Sequence, residues 1–145
     1  AAHLAANIEA LGRRFDTGFV GTAVLLQALD KAGRRDLSAA LVLRREYPSW
    51  LFAVEQGATS IWERWDGWTP ERGFQDPGMN SFAHYAFGCV GRWLFESLVG
   101  LPIAPSSFQR LQLAPAPVDG LEAAGARYDS IRGPVSCSWK RTAAG

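Results

Sequence analysis

Along the first two-thirds of the chain, apolar residues recur at three- and four-residue steps, and towards the C-terminus they alternate. Leu4, Ile8 and Leu11 share one helical face, and Gly12 is a natural stop. After the connector "FDTGFVGT", Val20, Val24, Leu25 and Leu29 predict a second helix whose buried stripe runs up to Gly33. Asp36 is placed to cap a third helix, "LSAALVLRREY", with Leu37, Ala40 and Leu41 facing inward. The junction "KAGRRD" is short, so the second and third helices should be antiparallel neighbours. Pro48 ends the third, and "PSWLFAVEQG" opens another short one.

From Gly57 to Asn80 the texture changes to Gly, Pro and aromatics without a sustained period, which predicts a long, ordered loop. "SFAHYAFGCVGRWLFESLVG" then reads as the strongest helix in the chain. Asn80 or Ser81 would cap it, Gly100 would stop it, and Phe82, Ala86, Val90, Trp93 and Leu94 would form its apolar face. Beyond "LPIAPSS", the segments "FQRLQLAP", "LEAAGARYDS" and "GPVSCSWKR" alternate as strands do, the last two joined at "SIRG". The predicted class is mainly α followed by β. Antiparallel helix pairs separated by long loops indicate an α/α solenoid or toroid, of which about two pairs are present. Three strands with a thin apolar face are marginal alone and belong to a larger sheet or pack on helices. The chain thus reads as part of a larger molecule, and helix faces cut off from their neighbours predict self-association.

Composition narrows the function more by exclusion than by indication. A 145-residue chain with 48% hydrophobic and 20% charged residues is an ordinary globular sequence. A net charge of +1, with Arg pairs scattered as solvated helix ends, gives no reason to expect a nucleic-acid or acidic-membrane partner. No apolar run approaches the roughly 18 residues of a membrane span. The opening "AAHLAANIEALG" lacks the pattern of a signal peptide and an initiator Met, which favours a cytoplasmic fragment. Cys89 and Cys137 make no disulfide framework and have no metal-ligand spacing, so neither a metal nor a cofactor is expected.

Aromatic residues concentrate between positions 47 and 95, and "TSIWERWDGW" packs three tryptophans around Glu63. If the indoles of Trp62 and Trp65 fold over it, they desolvate a carboxylate suited to proton transfer near neutral pH. Flat aromatic faces beside polar groups also suit a sugar, whose C–H face is apolar while its hydroxyls need hydrogen bonds. Arg64, Asp66, Gln75, Asp76 and His84 could supply those bonds, and Trp50 could form a further wall. The same residues also read as the core of a helical turn with a Glu63–Arg64 surface ion pair. The pattern therefore leaves open a carbohydrate site or an aromatic core, and no phosphate loop or nucleophile elbow competes.

"YPSWLFAVEQGATSIWERWDGW", followed by "MNSFAHYAFGCVGRWLF", closely resembles the bacterial α-L-rhamnosidases, whose catalytic domain is an (α/α)6 barrel. The resemblance takes in "GFVGTAVLLQALDKAGRRDLSAALVL" and "YDSIRGPVSCSW" and so covers nearly the whole chain. It implies that residues 1–101 are the C-terminal portion of the barrel, and that 102–145 begin a truncated β-sandwich domain. It also implies an inverting hydrolase of terminal α-L-rhamnosides, with an L-rhamnosyl glycoside as partner. Glu63 takes the place of the general base and His84 that of a residue touching the sugar. Trp62, Trp65, Arg64 and Trp50 are wall candidates. The family's general acid lies in an upstream motif that residues 1–58 do not match, so the fragment alone should be inactive. Ala83 stands where the family commonly has Asn, which bears on substrate preference. The alternative is a non-catalytic carbohydrate-binding or α-helical interaction domain.

Overall fold

The computed structural model describes residues 2–103 and 110–142. The chain forms two compact units, one up to Val90 and one from Gly91.

In the first unit, α1 (Ala2–Ala10), α2 (Phe19–Lys31), α3 (Arg35–Val42) and α4 (Trp50–Glu55) follow one another. Leu29, Leu37 and Leu41 are fully buried, and Leu25, Leu26 and Val42 nearly so, where α2 packs on α3. Each such leucine contributes about 1.5–3 kcal/mol by leaving water. Ser38 fits among them because its hydroxyl donates to the Leu26 carbonyl at 3.1 Å. The α2–α3 turn depends on Gly33 at φ 74°. There the Arg34 amide reaches the Leu29 carbonyl and the Gly33 amide that of Asp30, the Schellman arrangement. Helices α1 and α4 end the same way, at Gly12 and Gly57. Ser49 caps α4 by accepting from the Phe52 amide at 3.0 Å.

Two expectations for these helices are corrected. The buried face of α2 is Thr22, Leu25, Leu26 and Leu29, whereas Val20 and Val24 are 84% and 62% exposed. The helix is apolar nearly all round, so periodicity could not choose between its stripes. Asp36 does not cap α3; it lies in the first turn and binds Arg34 through both carboxylate oxygens.

Residues 57–80 are the expected loop, ordered by a small hairpin of β1 (Trp68–Thr69) with β2 (Gly73–Phe74) and a 3-10 turn at Pro77–Met79. The long helix expected from Ser81 begins instead at Ala86, as 3-10 structure to Cys89, one α-turn over Val90–Arg92 and π-helix over Trp93–Val99. Residues 81–84 do not join it because their backbone bonds go to the loop. The Glu63 amide donates to the Ser81 carbonyl and the His84 amide to the Ile61 carbonyl, both at 2.8 Å, and the Ser60 hydroxyl donates to the Phe82 carbonyl. Phe82 therefore packs its ring on Trp62 and Phe74, not on a helix face.

In the second unit, β3 (Ala123–Ser130) and β4 (Gly133–Lys140) form one antiparallel hairpin, with Ala123 opposite Lys140 and Ser130 opposite Gly133. Its alternate residues Ala124, Ala126, Tyr128, Val135 and Cys137 pack with Phe95, Val99 and Leu101. The Trp139 indole donates to the Leu98 carbonyl at 2.9 Å, and Trp93 is 1% exposed, so both serve packing. The strand expected at "FQRLQLAP" is absent from its described part, residues 110–115; the two residues before it lie outside the described chain. The Ala114 amide bonds to the Gly100 carbonyl and Ala116 to Leu98, while Pro115 and Pro117 have no amide hydrogen for a ladder.

Candidate active site

The loop after α4 lays Ile61–Glu63 alongside residues 81–84, tied by the Glu63–Ser81 and His84–Ile61 backbone bonds. Trp62 and Glu63, neighbours in sequence, fall in different depressions. Trp62 is buried against Phe82, ring centroids 5.1 Å apart, in a depression shared with Trp68 and Phe74. Glu63 lines a different depression of about 290 Å³, with Phe19, Tyr47, Arg64, Trp65, Asp66 and Phe87 among its walls. The indoles thus do not close over the carboxylate from both sides; Trp65 alone lines its depression.

Trp65 is the best-fixed side chain here. Phe87 stacks on it at 3.9 Å and Phe15 at 5.1 Å, and its indole donates to the Thr17 carbonyl at 3.3 Å. Trp50 meets it edge-on at 5.2 Å and donates to the Phe87 carbonyl at 2.9 Å. Each aromatic pair contributes about 0.5–1.5 kcal/mol beyond its burial. Two rings thus stack on Trp65 and a third, Trp50, meets it edge-on, so Trp65 is held within an aromatic cluster at the wall of the Glu63 depression.

One oxygen of Glu63, Oε2, accepts the Ser81 amide at 2.7 Å, while the Glu63 amide donates back to the Ser81 carbonyl. His84 stacks on Phe19 and on Tyr85, both at 5.0 Å. Its Nδ1 accepts from the Ala86 amide at 3.2 Å, so the neutral ring carries its hydrogen on Nε2. Ala83 is exposed, and its amide donates to the Ser81 hydroxyl at 3.2 Å.

Arg64 does not pair with Glu63. It grips Asp66 with two bonds of 2.9 and 3.1 Å, and Arg72 approaches the same carboxylate at 3.4 Å. The hydrogen bonds from Arg64 hold the Asp66 carboxyl below the usual value of 3.8, and Asp66 in turn raises Arg64. Burial, with Asp66 nearby, pushes the Tyr47 phenol up, so it faces the site as a neutral hydroxyl. A depressed folded-state value means Asp66 contributes stability above pH 3.8 that is lost as pH falls from there through its folded value. Urea midpoints measured between about pH 2 and 7 are therefore expected to fall less steeply with acid for Asp66→Asn than for the parent.

Glu63, Arg64 and Trp65 are thus brought together, and His84 joins them through Phe19; Trp62 and Trp50 are not on that surface. Sequence reasoning missed Phe19, Tyr47 and Phe87, which come from the first residue of α2, the connection between α3 and α4, and the 3-10 segment, and no spacing rule links them. Among the described residues, no three His, Cys, Asp or Glu side chains converge as metal ligands would, and no helix is long and apolar enough to cross a membrane.

The chain thus runs from helices into a β hairpin, with a carboxylate set among aromatic side chains. Residues 1–98 match the bacterial alpha-L-rhamnosidase 6 hairpin glycosidase domain and residues 100–145 the bacterial alpha-L-rhamnosidase C-terminal domain. The chain belongs to the bacterial α-L-rhamnosidase family. It is 39% identical over 142 residues to an alpha-L-rhamnosidase of Streptomyces avermitilis, covering 98% of this chain and 14% of that protein. The crystal structure of Streptomyces avermitilis alpha-L-rhamnosidase complexed with L-rhamnose superimposes with a TM-score of 0.90 at 38% identity, over 96% of this chain and 14% of the other. Native α-L-rhamnosidase from Aspergillus terreus gives 0.85 at 35% identity, over 93% and 16%. The chain therefore spans a small part of the length of these relatives.

Proposed function

We propose that this chain supplies the general-base half of an inverting α-L-rhamnosidase active site, with Glu63 as the base and a terminal α-L-rhamnoside as substrate. The observation that carries the reading is the Glu63 carboxylate: one oxygen is tied to a backbone amide, and the residue lines an aromatic-walled depression. Glu63 takes a proton from water as that water's oxygen bonds to the anomeric carbon. The bond from that carbon to the leaving oxygen breaks on the opposite face, and a carboxylic acid protonates the departing group. His84, held by Phe19 and Tyr85 with Nε2–H available, donates to a sugar hydroxyl. Arg64 and Trp65 wall the sugar.

The acid must come from outside this chain. Asp66 is the other carboxylate beside Glu63, and two arginines hold it ionised, which disqualifies it as a proton donor near neutral pH. The acid and base of an inverting pair stand roughly 6.5–9.5 Å apart, with room for the water. The isolated chain accordingly retains the base and sugar contacts but performs no turnover.

The test is stereochemical. Proton NMR during hydrolysis of an aryl α-L-rhamnoside by the full-length protein is expected to show the β anomer of rhamnose first, with the α anomer following by mutarotation. An α anomer formed first, or no hydrolysis, overturns the reading.

A further inference from the structure

The main chain holds the Glu63 carboxylate, and one buried amide side chain governs where that main chain lies. Asn80 is 9% exposed and stands immediately before Ser81, whose amide donates to Glu63 Oε2 at 2.7 Å. Its Nδ2 donates to the Gly67 carbonyl at 2.9 Å and to the Gln75 carbonyl at 3.4 Å. The Gly67 carbonyl also accepts the Gln75 amide at 3.1 Å. Two facing carbonyls fix which end of the Asn80 side chain points where, since only the NH2 end can donate to them. The other end, Oδ1, makes no hydrogen bond to the protein and lies close over Gly67, where an added Cβ would sit 2.7 Å from it. A single side chain thus clasps the strip after Glu63, the exit of the β1–β2 hairpin and the strip that carries the Ser81 amide.

We propose that Asn80 is a positioning residue for Glu63: by holding Gly67 and Gln75 it fixes the Ser81 amide on Oε2 and so aims Oε1 at the reacting water. This rests on the reading of Glu63 as general base. Asn80 is not among the residues lining the Glu63 depression, so it acts through Ser81 and not on the sugar. The same strip carries His84, whose amide is bound to the Ile61 carbonyl, so base and sugar contact are set by one piece of backbone. A carboxylate displaced by about 1 Å from its productive position loses about 100-fold in rate. That sensitivity makes a remote clasp visible in kcat.

The test is a double-mutant cycle in the full-length protein, with an aryl α-L-rhamnoside as substrate. Asn80→Asp has the same shape but turns an oxygen towards two carbonyl oxygens. It is expected to lower kcat by about 10- to 100-fold with KM little changed. In a Glu63→Gln background the same change should cost little more, because the group it positions is already gone. Wild-type kcat for Asn80→Asp, or a loss that multiplies in full onto that of Glu63→Gln, overturns the proposal and leaves Asn80 a structural residue. An unchanged rate for Glu63→Gln is a different failure: it removes the general-base reading and this proposal with it. Should Asn80→Asp not fold, Gly67→Ala presses on Oδ1 with the amide intact and enters the same cycle with the same expected losses.

Discussion

Glu63→Gln in the full-length protein is expected to lower kcat for hydrolysis of an aryl α-L-rhamnoside by about 10²–10⁴-fold, the usual contribution of a positioned base. The change removes basicity and little else. Gln is isosteric, and its side-chain oxygen can still accept the Ser81 amide that holds Oε2 at 2.7 Å. Arg64 is bound to Asp66 and loses no partner. KM and the thermal midpoint should therefore stay near those of the parent. Initial rates with and without saturating substrate, together with circular dichroism melts, separate the two quantities. A variant that keeps its full kcat would place the base elsewhere.

Gly100→Ala is expected to destabilise the second unit by about 3 kcal/mol or more, the sum of a left-handed strain and an overpacking cost. Gly100 has φ 79° and ends the π-helical turn Trp93–Val99, and a Cβ built on it falls inside the Ala114–Pro115 peptide. No flexible side chain can yield there; the obstacle is backbone. That backbone is in turn fixed, since the Ala114 amide bonds to the Gly100 carbonyl. Urea titration followed by the fluorescence of Trp93 and Trp139 reads the loss. An unshifted midpoint would mean that the 110–118 segment moves aside without cost.

Where a signal was local, the sequence mostly carried it, the Asp36 cap and the stripe of α2 excepted. Gly12, Gly33 and Gly100 mark helix ends that are found, and alternation across residues 123–140 gives the hairpin with its turn at Ile131–Arg132. Where two distant segments compete for the same backbone groups, it did not. Residues 81–84 have a helical pattern, yet their amides and carbonyls serve Ile61 and Glu63; 110–115 alternate, yet Ala114 turns to Gly100. The site divides in the same way. Glu63 stood out by its tryptophan neighbours, but adjacency in sequence assigned Trp62 to the wrong depression. Only the fold shows that Tyr47, Phe19 and Phe87 wall the depression in its place.

The stack around Trp65 bears on how the first unit assembles. Its members arrive from the connector after α1, from α4, from the loop and from the 3-10 turn beyond it. Helices close on contacts within themselves, whereas this stack needs several long chain closures whose entropy is spent before any ring meets another. Trp65 also walls the Glu63 depression, so the site shares those long closures. Helix content is therefore expected to appear before a formed site when the protein refolds.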